Sequence, residues 1–524
     1  MGISSSEAQP HPDSLLKDLE WRNIGPANMM GRISSVDALH DDYRTVLIGA
    51  SAGGVWKSTN AGNTVTPIFD EYGSQSVGDA KFFQPDPSII WVGTGEDTNR
   101  NSVGWGDGVY KSTDGGETFE NMGLRDTYQI AEVQPHPTDS SIVYVAALGN
   151  LWSYEGRRGL FKSTDGGETW EKLTNGLPDD KKTGATAIEI NPENPDEIYV
   201  GMYQRLRRPW AMKSGGPNGG IYKSTDGGES WTKLTNGLPE GNTGQIDVDI
   251  YRENPDVVMA YVEADDDLPH DMSVPGAGIY RSNDGGQSWT YQLRHNSRPS
   301  YHGRVRINPS NDSLIYVVSR DFRYSTDGGK TYEEGKPFSS DGGDDHDLWI
   351  SPKHPEIMYQ ATDQGAFLNL NSDAHVGLMN MAIGQYYEVG VDMRDPYWVY
   401  GGHQDNGAWG IPSQTRSWTG IRVDDAVEVS GGDGFEVLAD PTNWRNVYVT
   451  AHVGMFGRLD MKTREHTPIT PTPQTTANFD EYYRPNFNEY PTEYTINPGE
   501  RWIWLDIHSR TINGSNLPPQ FRWN

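Results

Sequence analysis

The chain has 524 residues and no cysteine. That absence excludes disulfides, thiolate catalysis and cysteine-ligated zinc. It leaves the compartment open, since an exported bacterial protein can also lack cysteine. No run of about 18 apolar residues exists, so no bilayer-spanning helix is expected. Positive charge is scarce: 43 Lys and Arg stand against 73 Asp and Glu, a formal net charge of −30. Such a field repels phosphate backbones and disfavours nucleic acid as a partner. The opening MGISSSEAQPHPDS has neither a basic nor an apolar stretch, so a signal peptide is expected to be absent or removed. Gly2 and Ser6 formally fit a myristoylation pattern, but no polybasic patch or second lipid site accompanies them. Residues 1–17 read as a disordered leader. There is no Gly-rich phosphate loop, HExxH motif or nucleophile elbow, and neither cofactor nor metal is expected.

What the chain has instead is glycine, proline and tryptophan, at 60, 33 and 17 residues. This composition favours many short strands joined by tight turns. One octet nearly recurs five times: STDGGETF from Ser112, STDGGETW from Ser163, STDGGESW from Ser224, SNDGGQSW from Ser282 and STDGGKTY from Ser325. In each, the aspartate can accept backbone N–H bonds within its own turn, the glycines supply positive φ, and the aromatic buries against a sheet. Asp114, Asp165, Asp226, Asp284 and Asp327 are therefore expected to fasten hairpins rather than do chemistry. The first unit, STNAGNTV, has Asn60 and Val65 in the key places, and the seventh keeps only Asp373; both should be weaker clamps.

In phase with the octets runs a second signal, a Pro- or Asp-bearing turn followed by a β-branched or aromatic strand. Examples are PDPSIIWVGTG at Pro85 and NPENPDEIYVGMY at Asn191. Nine such units, spaced by roughly 40 to 60 residues, have the period of four-stranded propeller blades. The expected fold is an all-β propeller. Residues 18–374 would form seven blades, 375–466 the start of a second propeller, and 467–524 an irregular, truncated tail able to contact another chain. The alternative is a single ten-bladed ring.

The octets and their spacing resemble the Asp-box, or bacterial neuraminidase repeat, superfamily: sialidases, family 74 xyloglucanases and the sortilin-type receptor propeller. The resemblance covers roughly residues 20 to 460. Segments 343–367 and 384–410 look most like large bacterial proteins termed sortilin-like or glycosyl-hydrolase-like. It implies a fold but not an activity, since enzymes and receptors share the box. In family 74 enzymes a T-D-x-G-G segment carries one catalytic aspartate; this chain reads ASAGGVW, with Ser51 where the acid belongs. Asp363 in ATDQGAF and Asp405 in HQDNG are the matching acids that remain, with Glu96, Asp97 or Asp433 as partners. A sialidase would need three arginines, of which only Arg32, in GRIS, and Arg304 are candidates.

Four-stranded blades put the long insertions on one rim, opposite the octets. That rim offers Trp105, Trp152, Tyr154 and Trp210 for stacking, and Arg157, Arg158, Arg207 and Arg208 for carboxylates. Toward the channel mouth the innermost strands bring Arg32, Asp79, Gln129, Gln245, Arg304, His346, Asp347, Tyr386 and Asp433. DGGDDHD (residues 341–347) carries oxygen ligands without the spacing of a calcium loop. The expected function is an exported protein that binds a polysaccharide or extended peptide on its loop-rich face. The alternatives are a glycoside hydrolase and a scaffold in a surface assembly.

Overall fold

A computed structural model describes residues 31–265, 275–333, 344–371, 374–378, 381–451 and 455–469, with Arg22 and Ile24. The expected leader, most of the expected tail and Asp373 lie outside the described residues. Nine antiparallel sheets follow one another along the chain, spanning residues 33–67, 77–121, 130–172, 183–233, 243–294, 304–325, 345–377, 386–430 and 434–468. They are numbered one to nine here. Each is a meander with its strands in sequence order; sheet six has three described strands, and sheet four gains an extra strand, Ala211–Ser214, on its long Ile198–Arg208 strand. The all-β expectation from the repeats therefore holds.

Period 2 explains the strands, and burial on both faces explains their apolar richness. Strand Val46–Ala50 is buried throughout, as are Ile90–Thr94 and Val143–Ala147. Each sheet packs on its neighbours, so the core is a series of clusters between successive sheets. One of these holds Ile33, Val36 and Ile48 of sheet one together with Trp349, Tyr359 and Phe367 of sheet seven.

The innermost strands are also stitched side to side. Asp37 accepts the Phe82 N–H (2.8 Å), Asp79 that of Val133 (3.0 Å) and Glu132 that of Ile188 (2.8 Å). Thr186 donates to Gln245 (2.9 Å), and Asp247 accepts from the Val305 N–H (2.9 Å). Arg304 and Arg306 donate to the carbonyls of His346 and Leu348 (3.0 and 3.2 Å), and Asp347 accepts from the Val36 N–H (3.2 Å). The bonds thus pass from sheet one through sheet seven and back to sheet one. Each satisfies a buried amide that would otherwise cost about 1–3 kcal/mol.

The octets take the form expected of them. Asp114 accepts from Ser112 Oγ (2.8 Å), the Thr118 N–H (2.9 Å) and Thr118 Oγ1 (2.6 Å), while Gly115 and Gly116 sit at φ 76° and 92°. Asp165, Asp226, Asp284 and Asp327 repeat the pattern. Asn60 of the first unit reproduces it with an amide, accepting the Thr64 N–H at 2.9 Å. A lysine on the third strand ties each of the first four octets to the preceding sheet: Lys57 donates to Gly115 O (2.7 Å), Lys111 to Gly166 O (2.8 Å), Lys162 to Gly227 O (2.8 Å) and Lys223 to Gly285 O (2.6 Å).

Candidate functional site

The first residue before sheet one decides the site. Arg32 precedes strand Ile33–Ala38, so its side chain stands at the channel end away from the octets. There its guanidinium meets four groups from four parts of the chain. Nη1 reaches Glu96 (3.4 Å) and donates to the Tyr301 hydroxyl (2.5 Å), and Nη2 reaches Asp363 (2.9 Å) and Asp405 (3.2 Å). Glu96 lies in the loop after strand Ile90–Thr94, Asp363 in the turn before strand Gly365–Asn371, and Asp405 in the turn before Ala408–Pro412 of sheet eight. A second arginine, Arg100, binds Glu96 (3.2 Å) and Gln385 (3.1 Å) and also donates to Gln404. Sheet eight is thereby fastened over the mouth, with the Asn406 amide donating to Asp363 O (3.3 Å).

The two aspartates titrate apart. Burial would push Asp363 up, but the charge of Arg32 and the hydrogen bond from His346 outweigh it and hold the carboxyl far below the usual range. Asp405 is pushed up to about 8, by burial first and then by the charge of Asp363, which outweigh Arg32. The pair therefore shares a single proton at neutral pH, carried on Asp405. Asp405 has left-handed backbone, φ 60°, and its N–H donates to Asp433 (2.6 Å). Since both carboxyls touch the same nitrogen, their contacting oxygens lie within about 6 Å of each other. Only Asp405 is open to solvent, its side chain 25% exposed against 5% for Asp363.

His346 Nε2 stands 2.5 Å from Asp363 and stacks beside His302, ring centroids 4.7 Å apart. Burial holds His346 down to about 4, so the neutral ring donates its Nε2 proton to Asp363. His302 in turn faces Asp344 (3.2 Å). The acidic run at 344–347 thus splits up: His346 goes to Asp363, and Asp347 to Arg306 (3.0 Å) and Val36. Among the described residues no group of three or more His, Asp or Glu is arranged to hold a metal ion. Ser51 is buried, with its N–H on Arg32 O (3.1 Å) and no partner for its hydroxyl.

The remaining channel groups pair among themselves. Arg304 sits 3.5 Å from both Asp97 and Asp247, and Gln129 accepts from Arg205 (3.1 Å). Asp79, Gln245 and Asp347 belong to the stitching described above. Tyr386 is exposed and lies against His403. On the rim, Trp105 and Trp210 are 52% and 59% exposed, while Trp152 and Tyr154 are half-buried. The rim arginines turn back to the protein: Arg158 is buried on the carbonyls of Asn150 and Ser153, Arg157 pairs with Asp126 (2.7 Å), Arg207 binds Asn101 (2.7 Å), and Arg208 donates to Trp152 O.

Sequence reasoning placed Arg32, His346 and Asp433 among the channel-mouth residues and gave Asp363 and Asp405 separately as candidate acids; the structure brings these five together. It missed Arg100, Tyr301, His302, Gln385 and Gln404. Gln404 stands next to Asp405 in HQDNG and Arg100 four residues after Glu96, while Tyr301, His302 and Gln385 had no local signal.

The fold is a β-propeller similar to those of sortilin-like and GH74 proteins. Residues 107–268 match the family described as Sortilin-Vps10 (sortilin, neurotensin receptor 3). The xyloglucanase Xgh74A of Acetivibrio thermocellus is 26% identical over 371 residues, 60% of this chain and 39% of that protein. A Paenibacillus xyloglucanase is 26% identical over 230 residues, 40% of this chain and 21% of that protein. The chain therefore spans well under half the length of these curated relatives. Among solved structures, a GH74 enzyme from Niastella koreensis superposes with TM-score 0.52 at 17% identity, covering 85% of this chain and 73% of that one. An ancestral GH74 enzyme gives TM-score 0.56 at 16% identity, covering 87% and 64%. Among the described residues no helix is long and apolar enough to cross a membrane.

Proposed function

We propose that the chain is an exported propeller that binds polysaccharide on its loop-rich face, and that it does not cleave it. Sheets one to seven would be one ring, and sheets eight and nine the opening blades of a second. The carrying observation is the shared clamp. Asp363 and Asp405 sit on one guanidinium nitrogen and hydrogen-bond directly to each other, with Asp363 buried, so no sugar linkage fits between them. Glycoside hydrolysis needs its two carboxyls on opposite sides of the bond. Ser51 in place of an acid points the same way. The named relatives act on xyloglucan, which supports a carbohydrate rather than a peptide ligand.

A hydrolase reading is favoured by one feature: Asp405 keeps its proton near neutral pH, as a general acid must. The two readings separate in one experiment. The purified chain is titrated with a panel of neutral and acidic plant polysaccharides by affinity electrophoresis, and the same mixtures are assayed for new reducing ends. Retarded migration without new ends is expected. New ends that disappear in Asp405→Asn would replace binding by hydrolysis.

A further inference from the structure

Tyr387 is the second residue of strand Tyr386–Val391 of sheet eight, and Phe435 lies in strand Gly434–Ala439 of sheet nine. Their rings stack with centroids 5.0 Å apart and planes 21° from parallel. Phe435 is half-buried, while Tyr387 is 40% exposed. A ring fixed from behind and open in front is a preorganised platform, because little side-chain freedom is left to lose on binding. Strand alternation gives no reason for an exposed aromatic to be held this way.

The platform borders the site described above. Asp433, Arg100, Asp405 and Tyr301 all act electrostatically on the Tyr387 hydroxyl. Of the clamped pair Asp405 is the accessible member, and its N–H bond to Asp433 fixes the spacing of the two turns. One opening therefore presents an aromatic face flanked by carboxyl groups. The nearby cations offer nothing to an anion: the side chains of Arg32 and Arg100 are 2% and 5% exposed, and each already holds carboxylate or amide oxygens.

We infer that Tyr387, backed by Phe435, is the stacking platform for a pyranose ring whose hydroxyls bond to the Asp405 and Asp433 carboxyls, and that the surface selects neutral over uronic sugars. A sugar's C–H face suits an aromatic ring, its hydroxyls suit carboxyl oxygens, and a uronate would meet the like charge of Asp433, while Asp405, which holds its proton at neutral pH, can still donate to a neutral hydroxyl. This inference rests on the polysaccharide reading, and it moves the binding centre from the rim of sheets two to four to the opening between sheets eight and nine.

The test is calorimetric titration of the full chain with cellohexaose and, separately, hexagalacturonate. Binding of the neutral sugar alone is expected. Tyr387→Ala should weaken it at least tenfold, while Tyr387→Phe, which keeps the ring, stays within threefold of wild type. Trp105→Ala and Trp210→Ala should also stay within threefold. Loss of binding in Trp210→Ala with none in Tyr387→Ala would overturn the platform and leave the polysaccharide reading standing. An equal loss in Tyr387→Phe would overturn stacking, and preference for hexagalacturonate would overturn the charge argument. If no polysaccharide of the panel and neither oligosaccharide binds, the polysaccharide reading falls, and the platform with it.

Discussion

Arg32 is the single residue on which the mouth depends. Removing a buried charge from a cluster leaves its partners uncompensated, which costs about 3–5 kcal/mol. Arg32→Met should therefore destabilise the chain by that order, seen as a lower denaturant midpoint. Its aspartates should respond in opposite ways. Asp363→Asn deletes the ionised partner and is expected to destabilise. Asp405→Asn replaces a carboxyl already neutral in the folded state by an amide that still donates to Asp363. The folded value of Asp405, about 8, lies above the ordinary carboxyl value of about 4, so the wild type loses stability as pH rises between the two. Asp405→Asn should gain on the order of 1–3 kcal/mol at pH 8 and little at pH 4. Equal midpoints for wild type and Asp405→Asn at both pH values would contradict the proton assignment.

At the scale of elements, repetition made the sequence readable. The octets stated their own geometry because every hydrogen bond of the clamp lies within eight residues. Gly115 and Gly116, at positive φ, could be anticipated from residue type alone. The strand before each octet was equally legible, since a buried strand flanked by Pro and Asp turns has few alternatives. The site was only half legible. Asp363 and Asp405 sit in turns that match a motif, but Tyr301 reaches Arg32 across more than 250 residues, and nothing local marks it. The rim arginines mislead for a related reason: charge in a loop says nothing about whether a carbonyl nearby will absorb it, as Asn150 and Ser153 do for Arg158.

Sheet eight poses the opposite problem, a strand more exposed than its sequence suggests. Val389 and Val391 are 63% and 48% exposed on the edge strand Tyr386–Val391, and Met393 just beyond its end is 70% exposed; such an edge templates self-association. Val389→Lys with Met393→Lys should raise the concentration at which this chain stays monodisperse, with stability changed by no more than about 0.5 kcal/mol. Light scattering and a thermal melt on the double variant check both halves.

For the whole molecule, the channel sets the pH response. A cavity of about 300 Å³ opens at the octet end, lined by Asp37, Glu132, Glu189, Asp249, Lys81 and Arg306 among others. Burial and neighbouring carboxylates raise Asp37 and Asp249 to about 6 and Glu132 to about 7, and lift Glu189 well above its ordinary value. Acids raised on folding favour the folded state while protonated, and that advantage is lost as pH climbs from about 4 to their folded values. Asp363 and Asp347 are lowered instead, so their contribution disappears only in stronger acid. Thermal stability should accordingly peak near pH 5 and fall by several degrees toward pH 8. A midpoint that rises over that interval would show that the channel acids do not govern it.

The bond from Val36 to Asp347 joins the first sheet to the seventh without any strand shared between them. A wheel fastened by side contacts has a seam, and the Arg32 cluster, reaching into sheets one, seven and eight, is the rivet laid across it. Under tension applied between residues 31 and 469, the load falls on that rivet before any blade is peeled, so the first rupture should report the strength of one guanidinium and its carboxylates.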